Sequence, residues 1–179
     1  MDSIWDAIAT VLRQEFSDVP DLEQGLRIGL RLFIAALLGG LLGYEREISG
    51  KSAGIRTHML VSMGSALFVL IPQQSGVAPT DISRVVQGIV AGVGFLGAGT
   101  ILKGTDTHHV RGLTTAAGIW LTAAIGMASG LGREMTAVLS TVLALGVLSL
   151  EPVFRQLSRR VREGKAARGE VATPGSVDD

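Results

Sequence analysis

The chain has 179 residues, of which 47% are apolar and 24 are glycine, with a mean hydropathy of +0.41 and a formal net charge of +0. The composition describes a membrane bundle better than a water-soluble enzyme, and the zero net charge says nothing until it is mapped along the chain. The absence of cysteine excludes disulfides, thiolate metal sites and cysteine nucleophiles.

Met1 to Phe16 lacks the basic start and cleavable core of a signal peptide. Ile4, Trp5, Ile8, Val11, Leu12 and Phe16 recur at helical spacing opposite Asp2, Asp6, Arg13 and Gln14, which predicts an amphipathic helix. Such a helix either lies in the membrane interface or packs on the bundle. Residues 1–24 are read as this N-terminal segment and Pro20 as its close.

Residues 25–154 are read as one transmembrane domain of about five helices, with four as the alternative. Three stretches are free of charge: Val85 to Leu102, Gly112 to Gly132 and Met135 to Leu150. Two more are less clean. Leu26 to Tyr44 contains Arg27 and Arg31, for which snorkelling to the membrane surface is expected, and the uncharged part of the other is only Thr57 to Ile71. A span needs about 20 residues, so the second helix must recruit Gly54 to Arg56 and the fifth Glu151 to Phe154. Residues 155–179 are read as a basic juxtamembrane run followed by a disordered tail, a topology anchor and not a nucleic-acid interface.

The charges assign the topology. With the C-terminus cytoplasmic, 11 of the 16 Lys and Arg residues fall on the inside. The positive-inside rule therefore predicts the N-terminus outside and the C-terminus in the cytoplasm.

Small residues recur four apart at Gly25 and Gly29, Gly39 and Gly43, Gly88 and Gly92, and Gly118, Thr122, Gly126 and Gly130. Close backbone approach through such positions holds helices together in lipid, so these are expected helix contacts. Gly92, Gly94 and Gly97 spell a dinucleotide-binding GxGxxG, but the run sits inside an uncharged span and the position 20 residues on is Ala117, not an acid. Gly88, Gly92, Gly94, Gly97 and Gly99 are expected instead to pack or break their helix. His108 and His109 beside Asp106 form a loop without the spacing of a metal site, and no cofactor is expected.

One polar set collects at the predicted cytoplasmic face: Glu45, Arg46 and Glu47 close the first span, Lys51, Arg56, Thr57 and His58 open the second, and Arg111, Thr114 and Thr115 begin the fourth. Charges at this depth cost desolvation energy unless paired, so Glu45 or Glu47 is expected to answer Arg56 or Arg111. The set is a structural clamp or a binding site.

GYEREISGKSAGIRTHMLVSMGSALF (43–68), QGIVAGVGFLGAGTIL (87–102) and VRGLTTAAGIWLTAAIGMASGLG (110–132) closely resemble the MgtC/SapB family of bacterial inner-membrane proteins. The resemblance implies a multi-pass inner-membrane protein of a family that is not one of established enzymes, linked to growth in low magnesium and, in pathogens, to virulence. Longer members carry a soluble domain that 151–179 is too short to build. Two functions follow: a regulator binding other inner-membrane proteins, or itself, through small-residue stripes, and a transporter or channel for Mg²⁺ or another small ion. Magnesium needs oxygen ligands. No Asp or Glu lies in the five apolar stretches and Gln87 is the one amide at depth, which favours the regulator.

Overall fold

The computed structural model describes residues 3–17, 19, 21–103 and 110–150. The expected His108, His109 and Asp106 loop, the residues recruited to the fifth span and the C-terminal tail lie outside them. Contacts divide the chain into two units, Met1–Thr141 and Val142–Asp179.

Helix α1 (Ile4–Glu15) starts at a capping box in which Ser3 and Asp6 satisfy each other's backbone amides. Its apolar stripe is as predicted, and none of its residues is buried. Helix α2 (Leu22–Ile48) begins where Asp21 accepts the Gln24 amide at 2.7 Å. Helices α3 (Ile55–Gln74), α4 (Pro79–Thr100) and α5 (Leu113–Gly130) follow, and all four from α2 to α5 are long and apolar enough to cross a membrane. Helix α6 (Glu134–Ser149) has 16 residues, or about 24 Å. The described helices thus include four long enough to cross a membrane and a shorter apolar one, α6. Between α4 and α5, Leu102–Lys103 and Val110–Arg111 form β1 and β2, a two-residue antiparallel pair.

In the first unit α3 is the central helix, antiparallel to α2 and parallel to α5. Glycine sets how close they come. A side chain at Gly39 would stand 2.6 Å from the His58 carbonyl oxygen, and one at Gly43 2.6 Å from Ile55 Cα. From α5, Gly126 and Gly130 lie against the carbonyls of Ser62 and Ala66. The carbonyls of His58, Ser62 and Ala66, one turn apart, are thus each covered by a glycine. This maximises dispersion and weak Cα–H···O contact where water offers no drive.

The other expected stripes differ. Among the described residues, no atom beyond their own helix lies within 4 Å of where a side chain would begin at Gly88, Gly92, Gly94 or Gly99, and Gly97 lies nearest Ala116, 3.5 Å from its Cβ position. Nor do they break the helix: α4 is continuous from Pro79 to Thr100. In lipid an opened turn has no water to satisfy its amides, so glycine's freedom is not expressed. Gly25 meets only Val19 and Gly29 faces open space. Freedom is used at Gly112, whose φ of 95° starts α5 directly against the Thr100 carbonyl, a place that any side chain would overlap.

Candidate functional site

The last turns of α2 and the first of α3 and α5 meet at one end of the bundle. Ala35, Leu38, Gly39, Leu42, Gly43 and Arg46 share the buried face of α2, so the helical repeat carries Arg46 inward with the glycines. Its side chain is 0% exposed, and its Nε pairs with the Glu45 carboxylate. Glu45 also accepts from Ser49 Oγ at 2.9 Å. A buried guanidinium of this kind is costly without its counter-charge.

Glu47 acts differently. Gly54 gives α3 no side-chain cap, and Glu47 Oε2 accepts the Ile55 amide at 3.0 Å in its place. A side chain at Gly54 would collide with that carboxylate. His58 is fully buried, with Nδ1 3.0 Å from the Gly54 carbonyl. A carbonyl can only accept, so Nδ1 is the donor in this contact. Nε2 faces α5 near Gly118, 3.6 Å from its Cβ position, and has no hydrogen-bond partner among the described residues. One turn further, Ser62 Oγ is likewise buried without a partner.

The ten residues expected in this cluster therefore separate into layers. Arg46, His58 and Thr115 are buried, with Glu45 and Lys51 half-buried beside them. Glu47, Arg56, Thr57, Arg111 and Thr114 are exposed. The expected pairing of Glu45 or Glu47 with Arg56 or Arg111 does not form: Arg56 and Arg111 make no ion pair with the described residues. Rotation explains this, because two residues are about 200° of helix. With His58 pointing inward, Arg56 must point out, and Arg46 takes the inward cation's place. Among the described residues no three His, Asp or Glu side chains gather as metal ligands.

Arg31 was expected to snorkel. Instead its side chain is 17% exposed and turned inward, with Nη1 3.0 Å from Gln73 Oε1 and 3.1 Å from the Gly130 carbonyl, and Nε 3.8 Å from Glu134. It ties α2 to α3, to the open C-terminal carbonyls of α5 and to the start of α6. Gly132, at φ 75°, leaves room for it: a side chain there would stand 3.0 Å from the guanidinium carbon. Arg27 pairs with Glu23 on the surface.

Residues 32–157 match the model of the MgtC family. The chain belongs to the MgtC family. It is 46% identical over 151 residues to the protein SrpB of Synechococcus elongatus, covering 77% of this chain and 81% of that one. It is 44% identical over 140 residues to the putative magnesium transporter YhiD of Escherichia coli K12, covering 74% of this chain and 62% of YhiD. To the protein MgtC of Salmonella typhimurium it is 38% identical over 134 residues, 75% of this chain and 55% of MgtC. This MgtC-family chain thus spans little more than half the length of MgtC. No solved structure matches it.

Proposed function

We propose that this protein is a non-enzymatic regulator in the bacterial inner membrane that acts on other membrane proteins in ion homeostasis, magnesium above all. One observation carries the reading. In α2 to α6 every described carboxylate, Glu23, Glu45, Glu47, Asp81 and Glu134, stands in a first or last turn. Along the membrane depth the α2, α3 and α5 contact is closed by glycine against backbone carbonyl. A dehydrating dication finds no ring of oxygens there. At the end where Arg46 pairs with Glu45, Arg56, Thr57, Arg111 and Thr114 form an exposed rim. The charge distribution supports a cytoplasmic position for that end. A partner protein would meet this rim.

The second reading, transport, is favoured by the name of the Escherichia coli relative, a putative magnesium transporter. Growth in limiting magnesium of a strain lacking its own copy separates rim from scaffold. Arg56→Ala and Arg111→Ala, both exposed, should insert at normal levels and lose complementation, whereas Arg133→Ala at the opposite end should keep it. Equal complementation by all three would remove the rim from the mechanism.

A further inference from the structure

Between α3 and α4 runs an open apolar groove of about 610 Å³, lined from α3 by Leu60, Gly64 and Phe68 and from α4 by Val85, Gly88 and Gly92 among others. Nothing lies within 4 Å of the Cβ position of any of these three glycines. Two polar groups add what small residues alone do not supply. Ser65, at the middle of α3, lines the groove at 4% exposure, and its hydroxyl makes no hydrogen bond to a described residue. Gln87, exposed near the middle of α4, carries an amide equally without partner among the described residues. At mid-span neither can turn to water. Nearer the end of α4, Asp81 and Arg84 are both exposed and make no ion pair with described residues.

We propose that a second copy of this chain occupies the groove, α4 of each copy lying in the α3/α4 groove of the other about a two-fold axis along the membrane normal. Copies inserted the same way up present α4 to α4 in parallel. The spacing 84, 88, 92 puts Arg84 on the glycine face, with Asp81 less than a turn before it. Parallel pairing then sets Arg84 of one copy beside Asp81 of the other, offset by about 4.5 Å along the axis, and symmetry makes the pair twice. Gln87 stands about 100° around from Gly88, on the flank where the rotation brings the other copy's α3. Its amide donates to the hydroxyl of Ser65 there. Lipid chains could fill the groove, but they offer no donor or acceptor to Ser65 or Gln87 at mid-span.

The chain has no cysteine, so single cysteines report directly on contact. In liposomes of zwitterionic lipid at high lipid-to-protein ratio, full-length Gly88→Cys and Gly92→Cys should crosslink to dimers on oxidation, and Val90→Cys should not. In an otherwise native chain, Gly92→Leu, entering open space, should lower the dimer fraction about tenfold with the monomer still folded, and Gln87→Leu about threefold. The charge swap Asp81→Arg with Arg84→Asp should restore dimer that either single change loses. Monomeric protein at every density, equal crosslinking at Val90→Cys, or a dimer indifferent to both Gly92→Leu and Gln87→Leu would each overturn the proposal.

Discussion

Gly126→Ala and Gly92→Ala make the same chemical change on two membrane helices, and the structure gives them opposite signs. At Gly126 the new methyl would lie 2.7 Å from the Ser62 carbonyl carbon and 2.8 Å from its Cα. Ordinary contact begins near 3.4 Å, so α3 and α5 must separate by more than half an ångström. The obstacle is backbone, which cannot swing aside as a side chain can, and α2 already packs on the same turns of α3 through Gly39 and Gly43. Overfilling a close contact costs about 1–3 kcal/mol, while alanine regains up to about 1 kcal/mol of helix propensity. A net loss of about 1 kcal/mol, reaching about 2 if α3 cannot yield, is expected. At Gly92 nothing opposes the methyl, so the monomer should be unchanged or slightly stabilised. Reversible unfolding in mixed micelles of rising denaturing-detergent fraction, at a dilution that keeps the protein monomeric, measures both. If Gly126→Ala matched Gly92→Ala, the glycine-to-carbonyl contact would not be what holds α3 to α5.

Three further outcomes follow from the polar contacts. Glu45→Gln removes the carboxylate paired with the buried Arg46 guanidinium and should cost about 3 kcal/mol in the same assay, whereas the double change Glu45→Gln with Arg46→Met should recover much of that. Arg31→Ala opens the α5 carbonyl end, loses the Gln73 contact and should cost about 2 kcal/mol, with hydrogen exchange rising first at the end of α5. Glu47→Ala removes the α3 cap and should cost about 1 kcal/mol, read as faster amide exchange at Ile55 and its neighbours.

Apolar runs placed α2, α3 and α5 within about four residues because membrane depth sets both their length and their composition, while α4 begins at Pro79, well before the uncharged run, with Asp81 and Arg84 in its first turns. The N-terminal helix followed equally from its apolar stripe, while its Ser3 cap was not read from the sequence. Four-residue glycine spacing was less decisive, since one pattern serves Gly126, closed against α3, and Gly92, open to the bilayer: spacing tells that a backbone is bare, not what covers it. The collection of charge at one bundle end was legible, but its pairing depended on helix rotation. The phase was nonetheless present, because Arg31, Ala35, Gly39, Gly43 and Arg46 recur at three- and four-residue steps along α2, which places both arginines on the inward face. Snorkelling was the wrong expectation for Arg31 because the open carbonyl end of α5 offered it a partner inside the bundle. No local signal pointed to Ser62, whose isolation comes from the tertiary fit of α2 and α5 around α3.

Magnesium flux into liposomes holding the purified protein tests the regulatory reading most directly, with Glu45→Gln as the matched variant and the fold verified in the same vesicles. The account predicts uptake no greater than in protein-free liposomes, for both proteins. Saturable uptake by the unaltered chain that is lost in Glu45→Gln would contradict it and make the cluster at the Arg46 end part of a transport path.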